Sequence, residues 1–320
     1  MKARFSLACR AGALFALALA AMSGARAAEE ELSVGGVGGP NAVVWPHYVA
    51  EAKGLYAQAG FKIDLVYSQS NAVVLQALTA GSTKIAIAAG LGDPIHALQR
   101  GANIAVVRID GQVGPYALMA KKEIKSIKDL KGHVASLDEA QGTTMVYFVI
   151  MLAKNGMTRK DLDFVYAGST AARLAALESG AADAAMITAP QLFKAAGEGY
   201  VNLGYAPDYA PDVPFTAEVV NRPWAEANKD KVKRFIKAYG DAIRWIDDPK
   251  NKTEAIDILQ KISHMDRGDI DKSYDLFKKI NYFDKSDEVS VAKVEAFAKA
   301  FKEVDPSVST DVSKLVMRIN

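Results

Sequence analysis

Three loops in this 320-residue chain put glycine and small polar side chains where a strand hands over to a helix: Gly38-Gly39-Pro40-Asn41, Gln141-Gly142-Thr143-Thr144 and Gly168-Ser169-Thr170. Such a loop leaves backbone N–H groups and the positive end of a helix dipole facing outward, a setting for an anion or a polar head group. Each loop taken singly is also an ordinary helix N-cap. Their conjunction is the stronger signal, because open α/β sheets take ligands at the carboxyl ends of their strands. Trp45, followed by His47 and Tyr48, offers an aromatic wall for an organic solute, the alternative being that these rings pack on the sheet. A helix cannot turn all three to one spot, so Trp45 is the candidate.

Catalytic chemistry finds no comparable support. Gly35-Gly36-Val37-Gly38-Gly39 lacks the G-x-G-x-x-G spacing and the acid about twenty residues on that a dinucleotide site needs. Gly-x-Ser-x-Gly is absent, and Ser169 has no nearby histidine to act as its base. His47, His96, His133 and His264 form no pair at metal spacing, so no metal site is expected. The only cysteine, Cys9, lies near the N-terminus, and the chain beyond it has no thiol for disulfides, thiolate metal sites or nucleophilic attack. No cofactor is expected.

Residues 1–27 read as a cleaved export signal: basic Lys2, Arg4 and Arg10, an apolar run from Ala11 to Ala21, then Ala25-Arg26-Ala27 as a cleavage site. The apolar run is too short for a stable membrane span. A periplasmic location is therefore expected. Lys2, Arg4, Arg10 and Arg26 are four of the 39 basic residues, so cleavage leaves 35 against 37 acidic ones. No basic patch interleaved with aromatics survives, which argues against a nucleic-acid partner.

The elements that must position the loops follow from a repeat. Ala77-Leu78-Thr79-Ala80-Gly81 and Ala176-Leu177-Glu178-Ser179-Gly180 each read as a last helical turn, a glycine able to take the left-handed C′ conformation, and then a short apolar strand. A proline follows each strand, Pro94 and Pro190. Strands expected at Leu32 to Val37, Phe61 to Tyr67, Ile85 to Ala89 and Ile104 to Ile109 alternate with helices, which predicts βαβ units on a parallel sheet. A second set runs from Tyr116 through Ala184 to Ile187, with a short amphipathic helix expected over Ile124 to Gly132. Tyr205 to Pro214 reads as the connection back. Beyond Pro223 the chain is expected to be almost wholly helical, and Lys229 to Asp247 carries a 3.6-residue apolar stripe. Two similar α/β lobes with a cleft between them are the architecture this implies.

The stretch Tyr48-Val49-Ala50-Glu51-Ala52-Lys53-Gly54-Leu55-Tyr56-Ala57-Gln58-Ala59-Gly60-Phe61-Lys62-Ile63 resembles the opening block of the nitrate/taurine-type periplasmic solute-binding proteins. Gln76-Ala77-Leu78-x-x-Gly81, Tyr116-Ala117-Leu118, Ile127 to Gly132 and Ala175 to Ala184 are similar to its later blocks, so the resemblance covers about Leu32 to Arg244. It implies an α/β, type II periplasmic-binding-protein fold: two Rossmann-like lobes with a hinge and a helical C-terminal extension. Lobe one would take 32–114 plus 215–320, and lobe two 115–214. It also implies a monomeric receptor that captures a small anionic or polar solute and delivers it to a permease and its ATPase at the inner membrane, without chemistry. The alternative is an exported non-thiol enzyme, a lyase or hydrolase, on the same fold.

The resemblance places Asn41, Trp45 and the Gly90-Leu91 backbone on the lobe-one side of the site, and Gln112 at the crossover. Gln141, Gly142 and Thr143 would cup a head group in lobe two, and Ser169 and Thr188 would add hydroxyls. Arg173 could pair with an anion or be a solvated helix-face charge. Pro40-Asn41 is followed by Ala42-Val43-Val44 where thiamine-pyrimidine binders carry Asn-His positions. Thr188-Ala189-Pro190 stands where alkanesulfonate binders often have Trp-Asp-Pro.

Overall fold

The computed structural model describes residues 29–319, so the expected export signal lies outside the described residues. The described strands are β1 (Glu30–Val37), β2 (Phe61–Ser68), β3 (Ile85–Gly90), β4 (Ile104–Gly111), β5 (Tyr116–Ala120), β6 (Val134–Leu137), β7 (Asp163–Tyr166), β8 (Ala184–Thr188), β9 (Val201–Tyr205) and β10 (Thr216–Asn221). They form two five-stranded sheets, in the orders β2-β1-β3-β10-β4 and β7-β6-β8-β5-β9. The two orders are the same pattern, and β3 and β8, the strands of the repeat, hold the central place in each. Gly81 and Gly180 end the preceding helices at φ +75° and +81°, the left-handed cap that the repeat predicts.

The sheets are mixed rather than purely parallel. β1 runs parallel to β2 and β3, and β6 parallel to β7 and β8. β10 is antiparallel to β3 and β4, and β5 antiparallel to β8 and β9. The reason is connectivity: β5 and β10 enter their sheets directly from the other lobe, with no crossover helix to reverse the chain between parallel neighbours. β9 and β10 complete the two sheets but carry weak strand signals, Val-Asn-Leu-Gly-Tyr and Thr-Ala-Glu-Val-Val-Asn.

Local chemistry also shortens two expected helices. The segment after Asn41 forms a 3-10 turn, a helix over Trp45–Ala52, and after left-handed Gly54 a further turn over Leu55–Gln58. Ile124 to Gly132 condenses to one 3-10 turn, Ile127–Leu130, closed by a capping box between Ser126 and Asp129. The helix Lys229–Asp247 buries its stripe of Val232, Phe235, Ile236, Tyr239, Ile243 and Ile246 against the helix Trp45–Ala52. The C-terminal segment reaches back to the first sheet's edge, where Val106 N–H donates to Leu315 O (2.8 Å) and Met317 N–H to Val106 O (2.9 Å).

The strands that lead into and out of the crossovers carry a buried ionic cluster. Arg108, Asp110 and Glu218 are all 0% exposed. The Arg108 guanidinium lies 3.3 Å from Glu218 Oε2 and 3.6 Å from Asp110 Oδ1, and donates to Asp284 O. Burial, only partly offset by Arg108, raises the Glu218 carboxyl to about 7, and burial together with Glu218 raises Asp110.

Candidate functional site

The carboxyl ends of the two sheets face each other across a cavity of about 110 Å³. On the lobe-one side Asn41 follows β1 and caps the next turn, accepting from Val43 N–H (2.8 Å) and donating to Gly39 O (2.8 Å). Asn71 follows β2 at the start of the helix Asn71–Thr79, and its Oδ1 accepts from Gly90 N–H at 3.3 Å. The Asn71 amide oxygen thus fixes the end of β3.

On the lobe-two side Tyr116 (β5), Thr188 (β8), Thr170 and Arg173 (helix Thr170–Glu178) and Gln191 converge. Arg173 is 2% exposed, so the solvated-charge reading fails. Its Nε donates to Met186 O (2.8 Å), its Nη2 to Thr170 Oγ1 (2.9 Å), and its Nη1 to Gly168 O. Thr170 and Thr188 share a hydroxyl hydrogen bond of 3.0 Å. Every one of these partners is neutral, and no ion pair with Arg173 occurs among the described residues. A guanidinium held in place this way keeps its charge for whatever enters the cavity. Burial raises the Tyr116 phenol, with Arg173 pulling the other way. Nearby, Gln191 Oε1 is buried with no hydrogen-bond partner.

The lobes touch around this cavity. Gly92 N–H, from lobe one, donates to Thr143 Oγ1 of lobe two at 3.2 Å. Gly168 stands at φ +34° against the Gln69 carbonyl, which a Cβ there would meet at 2.9 Å. Glycine at this point allows the two loops to meet backbone to backbone.

Of the residues expected from sequence, Asn41, Gly90, Thr143, Ser169 and Thr188 line the cavity. The others lie elsewhere, for definite reasons. Trp45 is fully buried, donates through its indole N–H to Ala255 O at 2.9 Å and packs edge-on to Tyr274; it fastens the lobe to the C-terminal helices. Leu91 is buried and its N–H donates to Phe215 O at 3.2 Å. Gln112 is held by Asn281 O (2.9 Å) and by Lys293 Nζ (2.8 Å) on the far side of the crossover. Gln141 borders an outer groove with Asp93 and His96. Gly142 packs against Asp138, and here the expectation of an anion cup meets its correction. The helix start at Thr143 is occupied by the chain's own carboxylate, because Asp138 accepts from Thr144 N–H (3.1 Å), Thr144 Oγ1 and Glu139 N–H (2.8 Å).

Thr170, from the third candidate loop, also lines the cavity, as do Asn71, Tyr116, Gln191 and Phe215, which were not anticipated. Ser70-Asn71 follows β2 as Asn41 follows β1, so the same strand-end rule could have found it. Tyr116 begins β5 and Phe215 directly precedes β10, the crossing strands whose partners sequence does not show.

The family model NMT1/THI5 like matches residues 41–252. The chain belongs to this family. Among curated relatives it is similar to the riboflavin-binding protein RibY of Chloroflexus aurantiacus, 27% identical over 237 residues, which are 72% of this chain and 66% of that protein. The alkanesulfonate-binding protein SsuA of Xanthomonas axonopodis pv. citri, bound to MOPS, matches 90% of this chain and 98% of its own, with TM-score 0.76 at 19% identity. The periplasmic aliphatic sulphonate-binding protein SsuA of Escherichia coli matches 90% and 92%, with TM-score 0.71 at 20% identity. These likenesses show the periplasmic-binding-protein fold, with the helical C-terminal part present, and support a solute-binding role for this NMT1/THI5-like chain.

Proposed function

We propose that the protein is the periplasmic receptor of an ABC importer, closing two lobes on a compact solute with an acidic head and presenting the closed form to a permease and its ATPase. Lobe one is 32–114 plus 215–320 and lobe two 115–214. The observation that carries this reading is the inter-lobe cavity whose wall holds Arg173, a deeply buried guanidinium without a carboxylate partner among the described residues. A solute touching both lobes stabilises the closed arrangement by its differential affinity for it. Asn71, Tyr116, Thr170, Arg173, Thr188 and Gln191 are the proposed contacts, with Asn41, Gly90, Thr143 and Ser169 shaping the walls.

Size narrows the solute. A cavity of about 110 Å³ is smaller than the ~150 Å³ that accommodates a benzene ring, which favours a small solute over a fused ring system such as a flavin. Ser169, the hydroxyl weighed as a nucleophile, instead accepts from Ala172 N–H as a helix cap, which favours binding over chemistry at that side chain. Native mass spectrometry of protein from its host, with a thermal-shift screen over small carboxylates, sulfonates, phosphonates and nitrate, tests the reading. The expected result is a co-purified intact small acid and a raised melting temperature that Arg173→Met abolishes. Turnover of the solute, or a shift by acids that survives Arg173→Met, would refute it.

A further inference from the structure

Both crossovers between the lobes pass the same side chain. Tyr147 lies on the helix Thr143–Lys154 of lobe two and is fully buried. Its phenol donates to Pro214 O at 2.8 Å and, less closely, to Val213 O at 3.1 Å, in the segment that leads into β10. Its ring lies against Gly114, two residues before β5, where a Cβ would come within 2.6–2.7 Å of three ring atoms. Gly114 is not among the glycines with positive φ, so it is the ring and not the backbone that calls for glycine there.

The second crossover is gripped from both lobes within one peptide unit. Pro214 O accepts from Tyr147 of lobe two, while the N–H of the same unit, that of Phe215, donates to Gly111 O at the end of β4 (2.8 Å). Phe215 is held by lobe one at its carbonyl too, which accepts from Leu91 N–H at 3.2 Å. A peptide unit is planar and stiff, so the lobes cannot turn about this link with every bond intact. Lobe one holds Phe215 by two bonds, and lobe two holds the Pro214 carbonyl through the phenol. The phenol is therefore the grip that yields. Thr143, one turn before Tyr147 and on the same helix face, accepts from Gly92 N–H of lobe one at 3.2 Å. That one face thus meets lobe one at the cavity and both crossovers a turn further on.

We propose that Tyr147 is a positioning residue for lobe closure: its phenol latches the Pro214–Phe215 peptide in the closed arrangement, and its ring keeps the Gly114 crossover in the same register. This rests on the two moving lobes of the receptor reading and adds the side chain that sets their balance. Opening exchanges the phenol for water at the Pro214 carbonyl, so removing the hydroxyl penalises the closed form and leaves the open one as it was.

The test is single-molecule energy transfer on the full mature chain, which has no cysteine of its own beyond the expected export signal. Dyes are attached at Lys62→Cys and Lys131→Cys, exposed positions near the amino ends of β2 and β6 and so away from the cavity. Transfer is recorded without solute and with acetate, methanesulfonate and nitrate as probes. The native protein is expected to show an open and a closed distance. Tyr147→Phe should lower the closed-to-open ratio about three- to tenfold, the worth of one neutral hydrogen bond. Gly114→Ala should lower it as well, because its methyl group meets the Tyr147 ring while the first crossover is in register. Both distances belong to folded molecules, so the ratio reads the latch separately from any loss of global stability, which a bond serving the fold alone would affect. A ratio that Tyr147→Phe leaves unchanged or raises overturns this inference and leaves the receptor standing. A single distance in the native protein under every condition overturns the two together.

Discussion

Replacing Arg108 by methionine removes the only cation from the buried cluster on the crossing strands and keeps an apolar stem of similar length against Tyr239, whose ring lies 5.7 Å from the guanidinium. Asp110 and Glu218 are then two fully buried carboxyls with no counter-charge, since the cation Lys293 is committed to Asp284 at 2.5 Å. Their least costly response is to bind protons. Holding one carboxyl protonated at about pH 7.5 costs at most ~1.4 kcal/mol for each pH unit above an unfolded value near 4, or ~5 kcal/mol per group. The native protein already bears part of that, because burial holds Glu218 at about 7 and raises Asp110 even with Arg108 present. Most of the Glu218 share is thus already present in the native protein, so the further loss expected of Arg108→Met falls at the low end of the range for breaking a buried pair from one side, ~3 kcal/mol.

The sign of the pH dependence follows. A carboxyl whose folded value is raised contributes a penalty that is absent below its unfolded value and grows as pH rises toward the folded one. At about pH 5 the ceiling falls to ~1.4 kcal/mol per group, and the variant should lose only ~1–2 kcal/mol. Equilibrium unfolding in urea at the two pH values, followed by circular dichroism, reads both quantities. A loss below ~1 kcal/mol at the higher pH, or an equal loss at both, would show that the cluster is solvated or that its carboxyls are already neutral, and would refute the reasoning.

Three further outcomes are expected. Thr143→Val keeps the shape but removes the acceptor for Gly92 N–H, so it should weaken solute binding about tenfold through ~1.4 kcal/mol lost from the closed form, with little change in the solute-free melting temperature; a calorimetric affinity equal to that of the native protein would contradict it. Gly168→Ala places a Cβ 2.9 Å from the Gln69 carbonyl at φ +34°, which should hold the lobes apart, and small-angle scattering of solute-saturated protein should keep the larger radius of the solute-free form. Asp183→Asn weakens the contacts to Lys121 (2.6 Å), Val134 N–H (3.0 Å) and His133 (3.1 Å) and should cost about 1–2 kcal/mol. Burial works to raise the Asp183 carboxyl, but Lys121, Val134 N–H and His133 outweigh it and bring it to about 2 from 3.8, so its contribution is present above about pH 4 and lost as pH falls toward 2. Native protein and variant should converge in stability there, and a constant difference across an acid titration of the melting temperature would count against the assignment.

The repeat shows how far local chemistry reaches. Ala-Leu-x-x-Gly before an apolar strand determines a helix, a left-handed cap and a central strand wherever it occurs, because all three depend on neighbours within a few residues. The strand-end loops were legible for the same reason: Asn41 and Ser169 cap the helices that follow them. What the loops do was not. Gly142 and Thr143 look like an anion cup until Asp138, four and five residues earlier, folds back to occupy it. Trp45 looks like a cleft wall until a carbonyl 210 residues away claims its N–H.

By itself, then, the sequence determined two α/β lobes, the caps and turns that end their helices, and the strand ends at which a ligand would be held. Tertiary structure decided which groups at those ends remain available. β5 and β10 change lobes, which brings Tyr116 and Phe215 to the cavity and turns the sheets from parallel to mixed. In one dimension Arg173 reads as either an anion partner or a solvated helix-face charge. Whether a charge finds a counter-ion depends on residues distant along the chain, and Arg173, buried on three neutral acceptors, finds none among the described residues.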